Sequence, residues 1–195
     1  MGIIGKKVLV LGLSKSGMAA AKFAKKQGAI VYLSEGKYIE EENNGNLAEL
    51  RSLGIEVEHG GHSDAFIENA ELVITSPGIP PHSEIIQRIK KRNIPVISEL
   101  ELAYKCCDIP FIIITGTNGK TTTTALIEFI LAKTLKAKAC GNIGQPPCNI
   151  ANENLDYFVC EASSYQLEMT PSLKPYIAIW TNFTPDHIDW HQGLG

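Results

Sequence analysis

Short apolar segments rich in β-branched residues alternate with segments of helical period along this chain, and the alternation constrains the fold more than any other feature. Runs at residues 8–11, 72–75 and 111–115 have the length and composition of buried strands. Each is followed by a stretch in which apolar residues recur every three or four positions, as on one face of a helix. This order predicts an α/β fold in which parallel sheets carry helices on both faces.

The alternation falls into two sets, which predict two domains. Residues 1–94 are expected to form a Rossmann-like parallel-sheet domain, and residues 95–195 the first part of a P-loop α/β domain, with the boundary near residues 93–108. No helix follows the last predicted strand, so we expect the second domain to be truncated in this sequence. The predicted strands are 8–11, 30–33, 55–58, 72–75, 96–97, 111–115, 137–140, 157–160 and 176–181, and the predicted helices are 16–27, 47–53, 84–92 (with Ser83 as N-cap) and 119–135.

Composition limits the class of partner and indicates the cellular compartment. The chain has 195 residues, of which 44% are apolar and 20% charged, and its net charge is -3. The lack of a basic excess argues against nucleic acid as a partner, and no apolar run approaches the length of a membrane span. The five cysteines have neither the spacing of a disulfide framework nor that of a zinc site. These features indicate a reduced, cytoplasmic protein.

The segment I-I-I-T-G-T-N-G-K-T at residues 112–121 is the sharpest motif. Its glycines allow main-chain N–H groups to face phosphate oxygens, and the start of the following helix adds partial positive charge. Lys120 can neutralise the β- and γ-phosphates of ATP, and the Thr121 hydroxyl can bind Mg²⁺. Ile114 stands where the strict P-loop pattern has its first glycine. The motif predicts an ATP site, against the alternative of a solvated turn whose lysine faces water.

A second glycine-rich turn, G-L-S-K-S-G at residues 12–17, also joins a predicted strand to a predicted helix. Ser14 replaces the middle glycine of the dinucleotide-binding pattern, and Glu35 follows the next strand, where a ribose contact is expected. The turn predicts a nucleotide-type ligand. An NAD-binding regulatory module and an ordinary strand–helix turn are the alternatives.

Further polar positions follow later predicted strands. Glu161 lies at the carboxyl end of strand 157–160, where a carboxylate suits Mg²⁺, although a surface or helix-capping role is the alternative. Asn142 lies in G-N-I-G, whose glycines allow the backbone to approach a ligand unless the segment is an ordinary turn. His187 and His191 are four positions apart. Their segment favours a contact between one side chain and phosphate or Mg²⁺ over a zinc site.

Together these motifs resemble the ATP-dependent Mur ligases of peptidoglycan synthesis. The resemblance rests on T-G-T-N-G-K-T at 115–121, G-N-I-G at 141–144, E-A-S-S-Y-Q-L-E at 161–168 and N-F-T-P-D-H-I-D at 182–189. The segments G-L-S-K-S-G at 12–17, S-E-G-K at 34–37 and S-P-G-I at 76–79 are most similar to the branch that adds D-glutamate. The resemblance implies amide-bond formation through an acyl phosphate.

The resemblance also implies site residues at the matching positions. Lys120, Glu161 and His187 are the implied catalytic residues, and Thr121, Glu161 and His187 the implied Mg²⁺ ligands. The implied ATP-binding residues are Gly116, Thr117, Asn118, Gly119, Lys120, Thr121 and Thr122. The implied residues for UDP-N-acetylmuramoyl-L-alanine are Ser16, Gly17, Glu35, Lys37, Gly78, Asn142 and Ser163.

Beyond these residues, the resemblance implies ATP and Mg²⁺ as cofactors, D-glutamate as the second substrate, and a cytoplasmic monomer that binds neither nucleic acid nor membrane. The carbamylated lysine and the amino-acid domain that such ligases use have no counterpart in this sequence. We therefore expect the 195-residue chain to bind nucleotide without turnover. For the whole protein, three alternatives to a D-glutamate-adding ligase remain. They are another Mur ligase, a ligase similar to folylpolyglutamate synthase, and a nucleotide-binding module that catalyses no reaction.

Overall fold

A computed structural model describes residues 2–41 and 44–185 of the chain. The first part comprises β1 (Lys7–Leu11), α1 (Lys15–Lys26), β2 (Ile30–Glu35), α2 (Gly45–Ser52), β3 (Glu56–His59), α3 (Asp64–Asn69), β4 (Leu72–Thr75), α4 (Glu84–Lys91) and β5 (Val96–Ser98). The second part comprises α5 (Glu99–Cys106), β6 (Phe111–Thr115), α6 (Lys120–Leu131), β7 (Ala137–Gly141), α7 (Pro147–Ile150), β8 (Tyr157–Glu161), α8 (Ser164–Glu168) and β9 (Ile177–Trp180).

The strands form two sheets, and every strand pair is parallel. The first sheet has the order β3-β2-β1-β4-β5 and the second the order β7-β8-β6-β9. This arrangement confirms the predicted α/β class. In such sheets ligands bind beyond the carboxyl ends of the strands, where neighbouring connections leave in opposite directions. The relevant strands are β1, between β2 and β4, and β6, between β8 and β9. The two glycine-rich turns follow these two strands.

One apolar cluster extends through both sheets, and two smaller clusters among the described residues each lie on one sheet. It includes Val10 and Ala20 of the first part and Phe111, Phe158 and Leu102 (in α5) of the second. All five are buried, and burial of a large apolar side chain stabilises the folded state by about 1.5–3 kcal/mol. The packing therefore joins the two strands, β1 and β6, that lead into the glycine-rich turns.

Most strand and helix positions agree with the sequence predictions, but four short helices were missed. The missed helices are α3, α5, α7 and α8, of four to eight residues each. Helix α5 begins directly after β5, in the region that the sequence suggested as a boundary. Strand β5 pairs with β4, so the first sheet takes its last strand from beyond residue 94. The division at residue 94 remains a prediction.

Helix ends differ from the predictions by a few residues. Helix α6 ends at Leu131 rather than at residue 135, and α4 ends at Lys91. Ser83 occupies the N-cap position of α4 as predicted, but its hydroxyl makes no capping bond and, within the described part of the chain, has no hydrogen-bond partner. Among the described residues, no helix has both the length and the apolar character that crossing a bilayer requires.

Candidate functional site

The phosphate-loop motif connects β6 to α6, and its positions 116 and 119 require glycine for different structural reasons. Gly119 is the N-cap of α6 with φ of 82°, in the left-handed region, and a side chain there would enter open space. Gly116 has φ of 127°, and a Cβ atom at this position would lie 2.2 Å from Thr181 Oγ1. The open space beside Gly119 leaves the start of α6 accessible to a ligand, whereas the contact at Gly116 packs the loop against the chain after β9.

Lys120 is the first residue of α6, and its side chain folds back over the loop. Its ammonium group donates to the carbonyl oxygens of Gly116 at 2.7 Å and Thr117 at 2.8 Å. An ammonium group in this place is well positioned to turn towards phosphate oxygens, since its contacts are to neutral carbonyls. The backbone below it is held by Thr124, whose buried hydroxyl donates to the Lys120 carbonyl at 2.9 Å. Thr122 is exposed at the start of the helix.

Glu161, at the end of β8, is the buried acidic group of the site. Its Oε2 accepts from the Thr121 hydroxyl at 2.8 Å, and its Oε1 accepts from the Asn142 side-chain amide at 2.9 Å. Strand β8 is the direct neighbour of β6, which brings these strand ends together. Hydroxyl and carboxylate oxygens are the ligands that Mg²⁺ prefers. The side chains of Thr121 and Glu161 fit such an ion.

Asn142 is held beside Glu161 by the backbone of its own turn. Gly141 has φ of 95°, and a Cβ atom there would lie 2.2 Å from the Glu161 carbonyl oxygen. The Asn142 main-chain N–H donates to that same carbonyl at 2.8 Å. Only glycine fits so close to β8, so Gly141 is what allows the Asn142 amide to reach the carboxylate.

Two other predicted positions are engaged in helix caps or main-chain contacts. The Ser163 hydroxyl is buried at the N-cap of α8 in a capping box with Gln166. The Asn118 main-chain N–H donates to Asn182 Oδ1 at 2.9 Å. The phosphate-facing N–H groups are therefore expected to come from the residues after Asn118.

A brace of residues after β9 holds the phosphate loop, and the sequence reasoning missed it. The Thr181 hydroxyl and the Asn182 side-chain amide both donate to the Asn118 carbonyl, at 2.7 and 3.0 Å. The Thr117 hydroxyl donates to the Thr184 carbonyl at 2.8 Å. The motif N-F-T-P is visible in the sequence, but Asn118 and Asn182 are 64 positions apart, so the sequence alone does not reveal the contact. His187, predicted to bind Mg²⁺, lies outside the described residues.

The first glycine-rich turn packs tightly between β1 and α1. A Cβ atom at Gly17 would lie 2.0 Å from the Gly12 carbonyl oxygen, so helix and strand could not approach with a larger residue there. Ser14 is the N-cap of α1 and accepts from the Gly17 N–H at 3.2 Å. Its hydroxyl also lies 2.8 Å from that of Ser76, at the end of β4. Ser16 stands in the first turn of the helix.

Glu35 ties the ends of β1 and β2 together. Its two carboxylate oxygens accept from the main-chain N–H groups of Leu13 at 2.7 Å and Lys37 at 2.9 Å. Lys37 and Gly78 are exposed near the same edge of the sheet. The predicted set from Ser16 to Gly78 thus lies along the carboxyl edge of the first sheet.

The two turns also meet each other. The Lys15 ammonium group, at the start of α1, donates to the carbonyl of Gly144 in the G-N-I-G segment. From Gly144 the same turn leads to Asn142 and so to Glu161. The edge of the first sheet is thereby connected to the phosphate loop of the second.

Comparison with known proteins identifies this arrangement. A model of the Mur ligase MurD-like N-terminal domain matches residues 6–98, and one of the Mur ligase middle domain matches residues 114–194. A UDP-N-acetylmuramoylalanine–D-glutamate ligase of Pelodictyon phaeoclathratiforme is 43% identical over 99% of this chain. The chain belongs to the Mur ligase family. A ligase of the same name from Staphylococcus aureus strain MW2 is 40% identical, also over 99% of this chain.

Solved Mur ligases share the fold of this Mur ligase chain. A UDP-N-acetylmuramate:L-alanyl-γ-D-glutamyl-meso-diaminopimelate ligase from Neisseria meningitides superposes with a TM-score of 0.60 at 20% identity, over 95% of this chain and 63% of that one. A murein peptide ligase from Psychrobacter arcticus gives 0.57 at 20% identity, over 95% and 44%. The chain spans 42% and 43% of the length of the two curated relatives.

Proposed function

We propose that this Mur ligase chain belongs to an ATP-dependent ligase that adds D-glutamate to UDP-N-acetylmuramoyl-L-alanine during peptidoglycan precursor synthesis. The observation that carries the proposal is the grouping of Thr121, Glu161 and Asn142 beside a phosphate loop. The curated relatives, at 40–43% identity over almost the whole chain, support the choice of D-glutamate. The protein would act in the cytoplasm as a monomer.

The two parts of the chain would divide the substrates. The carboxyl edge of the first sheet, with Ser16, Gly17, Glu35, Lys37 and Gly78, would hold the uridine diphosphate. Residues 116–122 would hold the ATP phosphates, with the main-chain N–H groups after Asn118 facing the phosphate oxygens. Asn142 and Ser163 would contact the sugar–phosphate part between them. The contact from Lys15 to Gly144 supports this division, because it brings the two edges within one side chain of each other.

Positioning and charge account for the chemistry that these residues would perform. Phosphoryl transfer to the alanyl carboxylate gives an acyl phosphate, which the amine of D-glutamate attacks with release of phosphate. Lys120 would stabilise the negative charge on the transferring group. Thr121 and Glu161 would hold Mg²⁺, together with His187 for a second ion, and bound Mg²⁺ would neutralise phosphate charge. Little covalent chemistry is required of the protein, and most of the rate follows from orientation.

Calorimetric titration of the 195-residue chain with a non-hydrolysable ATP analogue and Mg²⁺ tests the nucleotide site. We expect binding to the unchanged chain and at least about tenfold weaker binding to Lys120→Ala, because a charge-assisted contact to phosphate is worth about 1.5–3 kcal/mol. The matched control is Lys133→Ala, whose ammonium group lies over the Phe129 ring on α6. Equal affinity of all three proteins would contradict the role of Lys120.

Phosphate release tests the reaction. In the complete protein, release from ATP should depend on both UDP-N-acetylmuramoyl-L-alanine and D-glutamate. The 195-residue chain alone should release none. Release with a different amino acid in place of D-glutamate would identify another Mur ligase, and nucleotide binding without any release by the complete protein would identify a binding module.

A further inference from the structure

A cluster of three polar side chains lies at the ends of β2 and β3, beside the predicted uridine diphosphate residues. Ser34 is fully buried in the last part of β2. Its hydroxyl oxygen lies 2.6 Å from Glu58 Oε1 and 2.6 Å from His62 Nδ1. Glu58 also accepts from the Ser63 main-chain N–H at 3.1 Å, which fixes the carboxylate. None of the roles assigned above uses this cluster.

The hydrogen bonds of Ser34 determine which imidazole nitrogen carries the proton. An ionised Glu58 can only accept, so the single hydroxyl proton of Ser34 goes to Glu58. His62 Nδ1 must then be the donor to the serine oxygen. In the neutral ring the other nitrogen, Nε2, consequently carries a lone pair and can accept a hydrogen bond.

No side chain from Gly36 covers Nε2, and the surroundings disfavour the charged form of the ring. A Cβ atom on Gly36 would lie 3.0 Å from Nε2, so any other residue at this position would place a side chain against that edge of the ring. Burial lowers the pKa of His62 below 6.5, and the positive charge of Arg88 acts in the same direction. The carboxylates of Glu58 and Glu35 oppose this shift without reversing it.

Arg88 of α4 completes the environment of the ring. Its guanidinium donates to the His62 carbonyl at 3.1 Å and pairs with Asp64 of α3 at 3.0 Å. The loop that carries His62 is therefore held from both sides, by Ser34 and by Arg88. Such a fixed ring can present Nε2 to a ligand with little loss of entropy.

We propose that His62 is a further binding residue of the first sheet, and that its Nε2 accepts a hydrogen bond from an N–H or O–H donor on the uridine part of the substrate. Glu35 and Lys37, on either side of Gly36, are the residues already expected there. The proposal rests on the proposed function, since it assumes that this edge holds a uridine nucleotide.

Two substitutions separate binding from a structural role. The side-chain amide of His62→Asn can replace the Nδ1 donor to Ser34 but has no group at the Nε2 position. The longer amide of His62→Gln can place its oxygen near the Nε2 position but leaves Ser34 without a matched donor. We expect calorimetry with UDP-N-acetylmuramoyl-L-alanine to show affinity about 3- to 10-fold weaker for His62→Asn, with partial recovery in His62→Gln. The reverse order would overturn the proposal and indicate that His62 only supports the loop.

The pH dependence provides the second readout. Protonation of Nε2 removes the acceptor, so the affinity of the unchanged chain should fall as the pH decreases through the pKa of His62. His62→Asn should lack this dependence between about pH 5 and pH 8. Affinity that increases on acidification would show an imidazolium attracting the diphosphate, and would overturn the acceptor role. Failure of the unchanged chain to bind at any pH would instead contradict the proposed function.

Discussion

At the scale of single residues, the site depends on a carboxylate that is buried yet satisfied. Glu161 receives one hydrogen bond on each oxygen, from Thr121 and Asn142. The proximity of Thr121 and Glu161 follows from the sequence, because carboxyl ends of neighbouring parallel strands meet at one edge of the sheet. The proximity of Ser34, Glu58 and His62 could not be inferred from the sequence. In the sequence these three look like ordinary surface residues, and only the pairing of β2 with β3 brings them together.

Replacing Thr121 with valine tests the Mg²⁺ site. The substitution keeps the shape of the side chain but removes the hydroxyl that donates to Glu161 at 2.8 Å. We expect the affinity for the ATP analogue in the presence of Mg²⁺ to fall about tenfold, and the free energy of unfolding to fall by about 1–2 kcal/mol. Calorimetry and urea unfolding measure the two effects. Thr123→Val, two positions along α6, should change neither, and equal losses in both variants would refute the assignment.

Glu99 makes stability depend on pH. Burial raises its pKa from 4.5 to about 7, against the opposing hydrogen bond from the Cys148 main-chain N–H. The folded state therefore binds the proton more tightly than the unfolded state. Stability from this group is fully present below about pH 4.5 and declines as the pH rises to about 7.

The variant Glu99→Gln should lack this decline. Between about pH 5 and pH 8, its advantage in unfolding free energy over the unchanged chain should grow by about 2 kcal/mol. Urea unfolding at the two pH values measures it. The exposed Glu56→Gln should show no such change, and a constant difference for Glu99→Gln would mean that the buried carboxyl titrates normally.

At the scale of elements, α1, α2, α4 and α6 were predictable from their apolar periodicity, whereas α3, α5, α7 and α8 were not. Helix α1 has 12 residues and a clear apolar face, whereas α5 and α8 have eight and five. A start signal was present for both short helices. Ser98 with Glu101 and Ser163 with Gln166 have the spacing of a capping box. Apolar periodicity alone could not identify these helices, because a helix of one or two turns contains too few residues for a repeat of about 3.6 to be recognised.

Two N-cap serines allow the contribution of a capping hydrogen bond to the free energy of unfolding to be measured. Ser98 accepts from the Glu101 N–H at 3.0 Å and lies 2.7 Å from the Thr170 hydroxyl. Ser83 occupies the same position in α4 without a capping bond. We expect Ser98→Ala to lower the unfolding free energy by about 1–2 kcal/mol and Ser83→Ala to leave it almost unchanged. Thermal unfolding compares them, and equal effects would show that the hydroxyl contacts of Ser98 contribute nothing.

At the scale of the whole molecule, the sequence pattern divides the chain near residue 94, and one apolar cluster extends across that division into both sheets. The chain alternates in the same way on both sides of residue 94, so nothing local shows that α5 packs against β4 and β5 while its Tyr104 ring lies 6.2 Å from that of Phe111 in β6. Leu100, Leu102 and Ala103 of α5 are all buried in the cluster that the sheets share. The brace from Thr181 and Asn182 to the phosphate loop was hidden for the same reason. Both depend on contacts between segments far apart in the sequence.

A shared core predicts shared stability, which native-state hydrogen exchange can measure strand by strand. Leu102→Ala should leave a cavity that costs about 2–5 kcal/mol. Because the cluster includes Val10 of β1 and Ile113 of β6, amides of both strands should lose protection by similar free energies. Leu126→Ala, on the exposed face of α6, should cost little in either strand. Loss of protection in β6 alone, with β1 unaffected, would mean that the sheets unfold independently and that the contact between the two candidate binding edges does not couple them.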